Sequence, residues 1–273
     1  MQWWCAATTA EWSWSWRPYP GVWLAMLLIV FLYWRGLRGA GGIGAVGPLR
    51  AVSFGAGLAV LWIVLDWPVG ALGGGYLLSV HTAQYVAMTL IAMPLMLAGI
   101  PAAVYPGTGR AATLLRLLAR PQVGLVLYTA VMAVTHVPRV TDTLMATQLG
   151  SFGIDLVWLF GAFALWWPVQ APAGYVRMSA PLQVGYLFAA TIPPTLPAAF
   201  MVFADYPLYA LYELAPRAGL AAGTDQQAAG LIMKAGGDPL LWIAMTIVYF
   251  RWQHAEDARE RRDQAYSPQE QLS

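Results

Sequence analysis

Residues 76–100 form an almost unbroken apolar stretch. It is long enough to cross a bilayer, which takes roughly 20 apolar residues. Its opening turns are polar: Ser79-Val80-His81-Thr82-Ala83-Gln84-Tyr85 puts a histidine, a glutamine and a tyrosine at the edge of hydrocarbon. Residues three and four apart share a helix face, so the spacing predicts His81, Gln84 and Tyr85 on one side. Polar groups inside a membrane are costly and turn toward other helices or a water-filled cavity. This face is therefore the candidate functional surface around which the remaining helices gather.

Six further apolar segments accompany it, near residues 20–34, 49–65, 123–137, 152–168, 182–203 and 229–250. Only 10% of the residues are charged and 59% are hydrophobic, whereas soluble domains carry about 25% charge. The expected fold is all-α: a polytopic membrane protein of seven transmembrane helices, one domain over residues 1–253, with a polar cytoplasmic tail over 254–273. The tail is expected to be a solvated helix end that frays. The bilayer is the first partner, and 14 Trp and 13 Tyr suit its interfacial belts. Trp3, Trp4, Trp12, Trp14 and Trp16 in the N-terminal stretch suit the same anchoring or a partner surface. Residues 1–20 lack a basic region followed by an apolar core, so no cleavable signal peptide is expected. Pro193, Pro194 and Pro197 predict a kinked or broken sixth helix, since proline removes a backbone donor and clashes with the preceding turn.

Loop charges set an expected orientation. Arg35, Arg38, Arg50, Arg110, Arg116, Arg120, Arg177, Arg251, Arg259, Arg261 and Arg262 fall on one side. Arg17, Arg139 and Arg217 fall on the other, among Glu11, Asp66, Asp142, Asp205, Glu213 and Asp225. The positive-inside rule then places the N-terminus outside and the C-terminus in the cytoplasm.

Several function classes are excluded. A net charge of +2 without a basic patch leaves no nucleic-acid binding. The single Cys5 excludes an internal disulfide and every CxxC motif. No nucleophile elbow or phosphate-binding glycine loop is present, so hydrolase and nucleotide chemistry find no support.

The intramembrane polar residues gather, on this topology, toward the outer side: His81 and Tyr85, His136, Asp155, the run Asp225-Gln226-Gln227, then Lys234 and Asp238. Each has a structural use as well. A histidine can pack through hydrogen bonds, Asp155 can cap a helix start, and Lys234 and Asp238, four apart, can neutralise one another. The sharper reading is a metal site of His81, His136 and Asp155, with Tyr85 and Met88 as neighbours. Imidazole suits copper and zinc, thioether suits Cu(I), and carboxylate completes either. Met88, Met132 and Met233 are the candidate sulfur donors, although methionine also fills irregular packing. Two histidines also suit a bis-imidazole haem, and spacing does not choose between haem and copper.

Five segments in order resemble a known family: Ser79-Val80-His81-Thr82-Ala83-Gln84-Tyr85, Thr135-His136-Val137-Pro138, Leu165-Trp166-Trp167-Pro168-Val169, Pro207-Leu208-Tyr209, and the run from Asp225 through Met233. Over about residues 76–252 the chain is similar to the CtaG-type cytochrome c oxidase assembly proteins of bacteria, seven-helix proteins of the cytoplasmic (inner) membrane. The resemblance implies a non-enzymatic assembly factor that helps deliver or insert copper into a haem-copper oxidase at the outer face, with the oxidase subunits as partners. Where the family usually has a second histidine four residues after the first, this chain has Tyr85. Where it commonly has Glu-His near the start of helix five, this chain has Ile154-Asp155. His81 and His136 carry over as ligands. The alternative is a stable, non-catalytic accessory subunit of a respiratory or other membrane complex with no metal of its own. Transport is a further reading, suggested by the broken sixth helix and the Lys234/Asp238 pair.

Overall fold

The computed structural model describes residues 2–42, 44, 46–175 and 178–270, the last seven of these as backbone alone. Among the described residues fourteen α-helices account for nearly all of the regular structure. They are α1 (Pro20–Gly39), α2 (Pro48–Leu65), α3 (Val69–Gly75), α4 (Leu78–Val86), α5 (Met93–Gly99), α6 (Gly109–Leu118) and α7 (Pro121–Thr135). There follow α8 (Pro138–Met145), α9 (Gln148–Gln170), α10 (Ala180–Ala190), α11 (Thr195–Phe203), α12 (Ala210–Glu213), α13 (Ala222–Leu231) and α14 (Gly237–Glu270). No β-strand occurs among the described residues.

Among the described residues six helices are long and apolar enough to cross a membrane, and α6 with α7, bent by 78°, supplies a seventh if that pair is one span. The all-α, multi-span architecture is thus as expected. The spans 78–99 and 148–170 each bury half of their apolar window inside the protein, whereas the first buries 17%. The former two are central and α1 is peripheral. Leu24, Leu28 and Phe31 on α1 and Phe200 and Phe203 on α11 turn outward, the apolar exterior that lipid solvates.

Two wide π-turns interrupt the central helices. Ala87–Ala92 joins α4 to α5, and Ile232–Gly236 joins α13 to α14. Such turns loosen the regular ladder, and side chains complete it: the Thr89 hydroxyl donates to Tyr85 O at 2.6 Å, and the Trp166 indole donates to Thr89 O at 2.8 Å. The sixth apolar segment breaks between Ala190 and Thr195, as its prolines predict. Lys234 fills the break, donating from Nζ to Thr191 O at 3.0 Å and Thr195 Oγ1 at 2.7 Å. Its ion pair with Asp238, at 2.8 Å, is the mutual neutralisation expected from their spacing.

Small residues set the closest approaches. A side chain at Gly230 would run into the Ala198 carbonyl of α11, and one at Gly57 into the Ala92 carbonyl. Backbones meet there because no Cβ intervenes. Buried side chains form two clusters. One gathers Trp4, Tyr19, Tyr85, Met88, Met132, Trp158 and Met201, and the other Leu97, Tyr128, Trp167, Tyr186, Leu187 and Leu241.

Two expected loops hold further structure. Residues 101–122 contain α6, and 204–228 contain α12 and the first turns of α13. The polar stretch after residue 253 continues α14 to Glu270. Arg177, counted in the charge asymmetry, lies outside the described residues, as do residues 271–273.

Candidate functional site

Asp225 builds the start of the helix that carries His81. Leu77 is extended and offers no side-chain cap, so the first amides of α4 need an outside acceptor. The Asp225 carboxylate supplies it, accepting from Leu78 N at 2.6 Å, from Ser79 N at 3.2 Å and from the Ser79 hydroxyl. Gln226 beside it ties the 201–208 segment: its Oε1 accepts from Leu208 N at 2.6 Å, and its Nε2 donates to Met201 O and Tyr206 O at 3.3 Å each. These two residues of the Asp225-Gln226-Gln227 run are clamps rather than ligands.

Between these fixed elements lies a small cavity of about 10 Å³, with His81 and Tyr85 from α4, His136 after α7, Trp158 from α9 and Met201 from α11 in its wall. That is about the room one water molecule or one ion needs. The His81 ring lies 4.7 Å from the Trp158 ring, and the His136 ring stands edge-on to Tyr85 at 5.0 Å. Trp158 is fully buried against both imidazoles, and its indole N–H donates to Thr135 Oγ1 at 3.0 Å.

The two histidines differ in their hydrogen bonds. His136 Nδ1 lies 2.7 Å from Met132 O. A carbonyl only accepts, so Nδ1 carries the proton and Nε2 keeps its lone pair. Tyr209 OH donates to His136 O at 2.9 Å and fixes the turn. His81 Nδ1 and Tyr85 OH, by contrast, are buried with no partner. Unsatisfied buried polar atoms cost about 1–3 kcal/mol each, and native structures hold few of them. The phenols of Tyr209 and Tyr212 are pushed well above their ordinary value by burial, with the Asp142 and Asp225 carboxylates adding to it. Both remain neutral donors.

The sequence-expected residues divide. His81, His136 and Tyr85 meet at the cavity. Asp155 does not line it; its carboxylate accepts from the Trp4 indole at 2.7 Å. Among the described residues no group of three His, Cys, Asp or Glu side chains is gathered closely enough to hold a metal. Met88 is fully buried in the core and stands outside the cavity wall, as do Met132 and Met233; the sulfur side chain there is Met201. Gln84 is a correction: it donates from Nε2 to Val64 O at 2.5 Å, on the α2 side. Residues 81 and 85 differ by 40° around a helix, but 84 and 85 by 100°, so the shared face ends before Gln84. Met201 and the Asp225 clamp had no spacing signal, because their partners lie far along the chain.

The N-terminal tryptophans close this end of the bundle. Ala7 N donates to Met145 O at 3.0 Å, and Tyr76 OH donates to Ala10 O at 2.8 Å. Trp4 is buried, while Trp14 and Trp16 are 71% and 60% exposed. The stretch thus divides between packing and a free apolar rim.

The family model for cytochrome c oxidase caa3 assembly factors matches residues 22–255, most of the chain and all of the cavity wall. No curated protein and no solved structure gives a match.

Proposed function

The chain belongs to the cytochrome c oxidase caa3 assembly factors, and from that premise we propose that it serves oxidase maturation as a copper-handling factor of the bacterial inner membrane. In this reading the protein is non-enzymatic, its N-terminus is outside, and the cavity lies toward the outer face. The orientation rests on the arginine asymmetry of the loops. The oxidase subunits are the partners that receive copper.

One observation carries the proposal: two histidines 55 positions apart in sequence enter one ion-sized cavity, and His81 Nδ1 there has no partner. The donor set fits copper as cargo. Nε2 of His136 has a lone pair and is oriented by the Nδ1 bond behind it, the outer-shell arrangement that tunes imidazole ligands. Met201 supplies thioether, which with imidazole favours Cu(I) over harder ions. Tyr85 stands where the resemblance places another histidine. With only two imidazoles, affinity is moderate, which suits transfer: a partner offering more donors takes the ion by ligand exchange. Asp155 is engaged by Trp4 and serves here as a positioning group for the N-terminal segment.

Metal analysis of purified protein, loaded with Cu(I) and desalted, tests this against His81→Ala/His136→Ala. Near-stoichiometric copper is expected in the native chain and strong depletion in the variant. Equal contents would remove the copper proposal. The engagement of Asp155 by Trp4 favours a second reading, a metal-free accessory subunit, which predicts stoichiometric co-purification with an oxidase and no copper in either protein.

A further inference from the structure

At the other end of the bundle the helices part around a cleft of about 1170 Å³. That exceeds the roughly 300–1,000 Å³ of an ordinary small-molecule site. Its deep wall is apolar, formed by Leu90, Trp166, Leu187 and Leu240. The Trp166 indole N–H is already spent on Thr89 O, so that end offers little to a polar ligand. From Leu240 to Arg251 the wall follows α14, about 16 Å at 1.5 Å per residue.

The mouth differs in kind. α2 begins at Pro48, α5 and α9 end at Gly99 and Gln170, and α10 begins at Ala180. There Arg50 and Arg251 line the cleft, and no carboxylate does. Among the described residues neither guanidinium donates to a protein acceptor or joins an ion pair. The cleft therefore presents a long apolar slot and two uncompensated cations.

We infer that this cleft is a binding site for one anionic phospholipid: an acyl chain lies in the slot and the phosphate sits between Arg50 and Arg251. Basic pockets between transmembrane helices bind anionic headgroups on the cytoplasmic side, and hydrocarbon in the slot adds the burial that free phosphate lacks. Phosphatidylglycerol has this chemistry, whereas phosphatidylcholine has the chains and a net neutral headgroup.

The test uses full-length protein exchanged into neutral detergent, titrated with either lipid, and read by intact mass spectrometry. One phosphatidylglycerol is expected to be retained, preferred about tenfold over phosphatidylcholine. Arg50→Gln/Arg251→Gln brings that ratio close to one. Arg139→Gln/Arg217→Gln, which removes two exposed arginines elsewhere, keeps it. Ala244→Phe, which narrows the slot, lowers retention of both lipids. Arg251→Gln alone, on an exposed part of α14, lowers the ratio and stands in if the double variant does not fold. Equal retention of the two lipids by the native chain would overturn the site. So would an unchanged ratio in the Arg50/Arg251 variants, a lost ratio in the Arg139/Arg217 variant, or displacement by glycerol phosphate alone.

Discussion

Asp225 accepts a hydrogen bond from the Leu78 amide at 2.6 Å, so a carboxylate at the start of α13 closes the first turn of the helix bearing His81. Removing it leaves two buried amides and a hydroxyl without an acceptor. Asp225→Ala is expected to cost roughly 3 kcal/mol, a fall of about 5–10 °C in the detergent melting temperature. Asp225→Asn keeps one carbonyl oxygen and should lose about half as much. A melt of Asp225→Ala equal to the native one would show that α4 does not depend on this clamp.

His81 and His136 should respond differently to apolar replacement. His81→Leu removes a buried nitrogen with no partner, so stability is expected to stay level or rise by about 1 kcal/mol. His136→Leu loses the bond to Met132 O and should destabilise by about 1 kcal/mol. Both should lose copper. Thermal melts beside metal analysis separate the two quantities, and a marked loss of stability in His81→Leu would reassign His81 to packing.

Lys234 ties α13–α14 to the break between α10 and α11. Lys234→Met takes away two donors and leaves Asp238 without its cation. With Lys234 partly exposed, about 1–2 kcal/mol is expected. Lys234→Met/Asp238→Ala should recover part of that loss, since no uncompensated charge then remains. A double variant less stable than the single would contradict the pairing.

Cys5 is buried, and its thiol donates to Leu65 O at 3.3 Å. Burial, and then the nearby Asp155 carboxylate, push the thiol well above its ordinary value. A raised value means less thiolate at any given pH, and the thiolate is the nucleophile. Maleimide labelling in native membranes should therefore be slow and rise little between pH 7 and 9, then complete in denaturant. A Cys5→Ala/Trp14→Cys variant, reactive at an exposed position, is the control. Rapid labelling of native Cys5 would mean that the N-terminal segment does not lie over the bundle.

The membrane-length helices were legible because each carries its own signal: apolar length for the spans, and Pro193, Pro194 and Pro197 for the break; the short α6 and α12 carry no such run. The pairing of His81 with His136 was legible through depth and through resemblance. Gln84, Asp155 and Met201 were not. Each side chain's direction is decided by a partner elsewhere: the Val64 carbonyl for Gln84, the Trp4 indole for Asp155, and the clamp of Gln226 for the backbone at Met201. Contacts between distant positions leave no periodicity. The spacing at 81, 84 and 85 also covers more of a helix than one face, so a motif that reads as a unit served two neighbours.

The bend of 78° before α7 bears on where His136 stands along the bundle. The 15 residues of α7 rise about 22 Å at 1.5 Å per residue, against roughly 30 Å of hydrocarbon. α6 carries Arg110 and Arg116 and has the make-up of a helix lying along the lipid headgroups, which anchors the Pro121 end of α7 at that level. The shortfall then falls at the far end, where His136 caps α7 and α8 follows at once. On the proposed copper role, a cation held by His136 gives up part of its hydration shell, which favours ions that exchange water cheaply for nitrogen and sulfur.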